Sequence, residues 1–138
     1  MRQATRQIDI RTQGQGFYDV TDPIRSWIAS STLRTGLLTI WCQHTSASLI
    51  VQENADPDVR SDLLDALRRI APEDTEYRHA TEGPDDMPAH IRSALTQVSL
   101  SIPVIDAKPA LGTWQAIYVC EHRDAPQTRH LVLHLLGA

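Results

Sequence analysis

The sequence predicts an α+β domain, a largely antiparallel β-sheet core with two or three surface helices. Three observations carry that expectation. Short β-leaning runs recur from one end of the chain to the other. Few segments have helical periodicity, and the strongest of them also carries capping residues. Clusters of Pro, Gly and Asp separate the runs. At 138 residues the chain is one domain, 1–138, able to bury a core without a disulfide or metal. It has no internal repeats or low-complexity tracts.

The elements follow in order. "ATRQIDIRTQ" alternates loosely between polar and apolar residues, as a half-exposed strand does. "GQGFYDV" turns through Gly14 and Gly16. Thr21 or Asp22 then caps a short helix with Pro23 in its first turn, and Ile24, Trp27 and Ile28 fall on one face. "LLTIWCQHTSASLIVQE" reads as a buried strand that bends at its hydroxyl-rich centre and continues as a second. "NADPDVRSDLLDALRRIAP" is the strongest helix. Asp56 serves as N-cap, Pro57 fits the first turn, Asp58 suits the dipole, and Val59, Leu63, Leu67 and Ile70 form a stripe. Arg68 and Arg69 favour its C-terminal end and Pro72 stops it. After the turn-rich "TEGPDDMP", "AHIRSAL" is a short helix. "QVSLSIPVI", "TWQAIYVCEHR" and "RHLVLHLLG" are strands, the first two joined by a loop around "DAKPALG".

Composition excludes several classes. A net charge of −4, with twelve arginines and one lysine, lacks the basic stripe that nucleic acid or an anionic membrane requires. It does not exclude a small phosphorylated ligand. Apolar runs such as "GLLTIW" are far shorter than a membrane span. The N-terminus has no apolar signal core, so a cytoplasmic location is expected. Cys42 and Cys120 sit in apolar runs and read as reduced, strand-borne thiols.

Four segments concentrate polar groups that a fold alone does not demand. "QHTSAS" places His44, Thr45, Ser46 and Ser48 at a strand end, where hydroxyls and backbone N–H groups can hold phosphate oxygens. A plain Ser/Thr turn explains them equally well. "QENADPD" sets Glu53 and Asn54, the sole asparagine, before a helix N-terminus that attracts anions. "TEGPDDMPAH" puts Asp86 and His90 four residues apart, close enough for the carboxylate to orient the ring, although a capped turn has the same composition. In "LGTWQ", Trp114 can stack a heterocycle or fill the core, and Thr113 and Gln115 offer hydrogen bonds. His44, His79 and His90 lie in three segments without zinc-type spacing, so they indicate a metal only weakly. His122, His130 and His134 lie on terminal strands and look structural.

"HTSASL…ENADPDVRSDL", "YRHATEGPDDMPAHIRSAL" and "LGTWQAIYVCEHR" resemble, in order and spacing, the YjbQ family, which is associated with a secondary thiamine-phosphate synthase activity. The likeness runs from about Gly16 to Gly137. It implies a compact α+β homotrimer with its site in a cleft near a subunit boundary. His44, Thr45, Ser46, Asn54, Asp56, His79, Asp86, His90, Gly112, Thr113, Trp114 and Gln115 match the family's recurring positions. Gln52, Ala116 and "DAKPALG" depart from its pattern, and the last weakens a phosphate role for that loop.

The implied reaction joins a pyrimidine pyrophosphate to a thiazole phosphate with loss of pyrophosphate. On that reading Asp86, His90 and His44 are the catalytic candidates. Thr45, Ser46, Glu53, Asn54, Arg92, Thr113, Trp114 and Gln115 contact substrate, Trp114 as a shelf for the pyrimidine. His44, His79 and His90 are the candidate ligands of a divalent ion, magnesium or zinc. Dedicated thiamine-phosphate synthases are (β/α)₈ barrels, which this short chain cannot be. The alternatives are a metal-dependent hydrolase or transferase on another phosphorylated molecule, or a trimeric metabolite-binding protein without turnover.

Overall fold

The computed structural model describes residues 1–138. Eleven elements follow in order: β1 (Arg2–Thr12), β2 (Gly16–Asp19), α1 (Thr21–Ser30), β3 (Gly36–Cys42), β4 (Ala47–Glu53), α2 (Pro57–Ile70), α3 (Asp86–Leu95), β5 (Ser99–Ile105), β6 (Lys108–Pro109), β7 (Gln115–Glu121) and β8 (Gln127–Gly137). The strands form two antiparallel sheets, one ordered β1-β8-β3-β5-β6 and the other β2-β7-β4. The expected α+β architecture is therefore present, with three helices. The bend expected at "QHTSAS" is the passage from β3 in the larger sheet to β4 in the smaller.

Period-two alternation builds the core. Leu38, Ile40 and Cys42 of β3, and Leu131, Leu133 and Leu135 of β8, point inward and meet Val20, Ile24, Ile28, Leu49, Ile117 and Val119. β7 is buried along nearly its whole length because strands flank it on both sides. Cys42 and Cys120 are buried free thiols, and burial pushes the Cys120 thiol up to about 12. No helix is long and apolar enough to cross a membrane.

Two helices differ from expectation in instructive ways. At α1 neither Thr21 nor Asp22 caps the helix; Val20 holds the cap position, and Asp19 Oδ1 accepts from the Thr21 N–H at 2.8 Å. The Thr21 hydroxyl is diverted to accept from the Ile117 N–H at 2.9 Å, tying the helix to β7. α2 starts as expected, with Asp56 Oδ1 accepting from the Asp58 N–H at 2.9 Å, yet none of its residues is fully buried. Its stripe lies along the surface because the two sheets close the core without it.

At the other ends of β3 and β8, Gly36 and Gly137 pair directly. A Cβ on Gly36 would overlap the Leu136 carbonyl oxygen, so only glycine lets these strands approach.

Candidate functional site

α3 begins with Asp86 and carries His90 one turn later, so both side chains stand on one face. The loop between α2 and α3 returns His79 to the same point. Gly83, at φ 105°, makes the turn that allows this, a backbone angle glycine adopts without strain. Asp86 Oδ2 lies 2.6 Å from His79 Nε2 and 3.2 Å from His90 Nε2. The rings meet edge to face, with centroids 5.4 Å apart. The three ligand atoms all fall within 4.8 Å of one another. Asp86 is 3% exposed, while the imidazoles open to solvent.

Beneath the cluster lies a second layer that the sequence did not disclose. Arg123, just beyond β7, donates from Nη1 to Asp86 Oδ1 at 2.7 Å, from Nε to Asp85 Oδ2 at 2.9 Å and from Nη2 to the Glu82 carbonyl at 3.0 Å. Asp85 also accepts from the Asp124 N–H. Burial is the largest influence on Asp86 and works against its charge. Hydrogen bonding from His79 and the charge of Arg123 outweigh it and hold the carboxyl below its ordinary range. Deeper still, buried Glu121 takes Arg129 on both oxygens and the Thr12 hydroxyl on Oε1. It also accepts the His122 and Arg123 backbone N–H groups. Together these bonds overcome the desolvation that would raise its pKa. The signal for this layer was an arginine at an inward register position of β8, between Thr128 and His130 and in step with Leu131.

A cleft of about 340 Å³ adjoins the cluster on the His90 side, lined by His44, Thr45, His90, Ser93, Thr96 and Val98. His44 thus faces the same space as His90, but it stands outside the His79–Asp86–His90 group. Its Nε2 accepts the His130 N–H at 2.8 Å, Arg129 Nη1 stands 3.4 Å from its Nδ1, and the ring stacks on His130. Burial, then the charge of Arg129, lowers its pKa, so it stays neutral. Of the expected His44, His79 and His90, the structure brings only His79 and His90 together, and Asp86 completes the group that could hold a metal ion.

Thr45 is exposed at the cleft rim. Ser46 is drawn inward instead, its Oγ accepting from Arg129 Nη2 at 3.0 Å. Arg92 is corrected as well. It is 1% exposed, and it donates to the Leu67 and Ala71 carbonyls at the C-terminal end of α2. Helical phase explains the error. At about 100° per residue, position 92 lies roughly opposite position 90 on α3, so its side chain leaves the site.

Glu53, Asn54, Thr113, Trp114 and Gln115 form a separate group. In the β4–β7 pair, Ala47 stands opposite Glu121 and Glu53 opposite Gln115. The two ends are about 20 Å apart at ~3.4 Å per residue. Trp114 is 61% exposed and belongs to no core. The Asn54 N–H donates to its carbonyl, and Gln115 Oε1 closes the turn on the Gly112 N–H. One chain therefore brings together His44, Thr45, His79, Asp86 and His90, and leaves the aromatic shelf at the other end.

The fold and cluster define a class: a small two-sheet α+β domain bearing two imidazoles and a buried carboxylate at a helix start. The chain belongs to the UPF0047 protein YjbQ-like family, whose sequence model matches residues 6–138. A UPF0047 protein of Synechocystis sp. is 47% identical over 137 residues, covering 99% of this chain and 93% of the relative. The YjbQ protein of Salmonella typhimurium is 40% identical over 133 residues, 96% of each chain. Among solved structures, a YjbQ/UPF0047-family protein from Clostridium acetobutylicum superposes with a TM-score of 0.88 at 32% identity, covering 95% of this chain and 99% of that one. A conserved hypothetical protein of Thermus thermophilus gives a TM-score of 0.85 at 31% identity, with the same coverage.

Proposed function

We propose that this protein is a metal-dependent enzyme acting on a phosphorylated small molecule, with the thiamine-phosphate synthase type of condensation as its specific reaction. The observation that carries the metal is the convergence of His79, Asp86 and His90. Two imidazoles and a carboxylate suit zinc or a neighbouring transition metal better than magnesium, which prefers oxygen. His79, Asp86 and His90 would hold the ion through the two Nε2 atoms and the carboxylate. Bound there, it would supply charge for phosphate oxygens and Lewis acidity at the leaving group.

The residues of the chain do the rest. Asp86, pinned from behind, orients both rings. Thr45 offers a hydroxyl to a phosphate oxygen at the cleft rim, beside the neutral His44 ring. Trp114 is too distant to serve the cluster of its own subunit.

A homotrimer fits this division. Leu37, Trp41 and Leu136 project from the outer face of the larger sheet, 45%, 49% and 41% exposed, with Leu37 opposite Leu136 in register. In a ring, each copy presents one end to the opposite end of the next, so a neighbour can bring its Trp114 and Asn54 toward this cleft.

A second reading, hydrolysis of a phosphate ester, is favoured by the hydroxyl-lined cleft beside the cluster, which needs no aromatic shelf. Protein loaded with Zn²⁺ or Mg²⁺ is incubated with the pyrimidine pyrophosphate, with and without the thiazole phosphate. Thiamine phosphate formed only with both, and lost in Asp86→Ala and His90→Ala, supports the condensation. Phosphate release from one substrate alone supports hydrolysis. Unchanged turnover in both variants contradicts the site.

A further inference from the structure

We infer that Arg123 is a positioning residue that holds Asp86 as a one-oxygen ligand and so keeps coordination positions open at the cluster. This rests on the metal reading above and deepens it. Asp86 has two oxygens, and a free carboxylate can close on an ion with both. Here Oδ1 is occupied by Arg123 Nη1, and only Oδ2 faces His79 and His90. The guanidinium cannot swing away easily, because its other nitrogens are fixed by Asp85 and by the Glu82 carbonyl. The backbone that presents it is fixed too, since the Arg123 N–H donates to Glu121 Oε2 at 3.1 Å and Glu121 is locked by Arg129. Arg123 thus joins the end of β7 to the start of α3. A planar, forked donor is the side chain that meets two adjacent carboxylates and a carbonyl at once, and lysine would not.

The sign of the effect separates positioning from charge. Arg123 is a cation one carboxylate away from a site for another cation. If its charge alone mattered, removing it would tighten metal binding. If it positions Asp86, removing it weakens binding and changes the coordination, since residues behind a metal ligand are typically worth 10–100-fold in affinity.

The experiment compares the full chain with Arg123→Ala, Arg123→Lys and Asp86→Ala, each checked for an unchanged circular dichroism spectrum. Zn²⁺ affinity is measured by competition with a chromophoric chelator, and coordination by the visible spectrum of the Co²⁺ form, whose intensity separates four- from six-coordinate ions. We expect Arg123→Ala to lose at least tenfold in affinity and to shift the Co²⁺ spectrum toward higher coordination number. Arg123→Lys should not restore either property, and millimolar guanidinium added to Arg123→Ala should recover part of both. Equal or tighter binding with an unshifted spectrum overturns the inference while leaving the metal site standing. Wild-type protein that binds neither ion, or Asp86→Ala that binds as well as wild type, overturns the metal reading and the inference with it.

Discussion

Acidification is expected to destabilise the fold through one imidazole. His122 is buried, and its Nε2 shares a hydrogen bond with the Ser48 hydroxyl at 2.8 Å. Burial first, then the charge of Arg92, brings its pKa down to about 4 from an ordinary 6.5. The unfolded chain therefore binds this proton before the native chain does. Stability from the neutral ring is complete above about pH 6.5 and is lost as the pH falls toward 4. At 1.36 kcal/mol per unit, the loss reaches about 2.5 kcal/mol by pH 4.5. For a chain of this length that is about 8 °C in Tm. Thermal melts of wild type and His122→Gln between pH 7 and pH 4.5 test the point. The wild type should lose about 8 °C more than the variant over that range. Glu121, Asp85 and Asp86 are held below the ordinary carboxylate range, so their contribution starts to fall only near the bottom of this range, equally in both proteins. Parallel loss in both proteins would refute the assignment to His122.

Two further outcomes follow from packing. Gly36→Ala should cost about 2–3 kcal/mol in urea unfolding, because the added methyl overlaps main chain and cannot rotate away; a loss under 0.5 kcal/mol would show that the strand ends separate freely. On the homotrimer proposed above, Trp41→Glu should leave the unfolding midpoint of the subunit nearly unchanged, since the ring is half exposed, yet lower the mass in light scattering to that of a monomer. An unchanged mass would remove the open sheet face from the interface.

Local chemistry was the legible part of the sequence. Asp56 and Pro57 marked the start of α2, alternation marked β3 and β8, and four-residue spacing placed Asp86 beside His90. These depend on periodicity and caps, which act over a few residues. Burial of α2 was not legible, because an amphipathic stripe states that a face can pack and not that anything reaches it. Arg123 was invisible for another reason. It meets Asp86 across 37 positions, a contact created by the return of β7 rather than by any local pattern. His79 was visible as a candidate, while its pairing with Asp86 required the turn at Gly83. Arg92 was misplaced because its residue type was weighed without its helical phase. Trp114 stood out correctly as unusual, but the length of the β4–β7 pair separates it from the imidazoles of its own chain.

A metal ion held by His79, Asp86 and His90 is the core of the function proposed above. Its most direct test is isothermal titration of metal-free protein with Zn²⁺, in wild type and in the three single alanine variants. One ion per subunit is expected, with binding lost or greatly weakened in each variant. Absence of binding in the wild type, or equal binding in all four proteins, would contradict it.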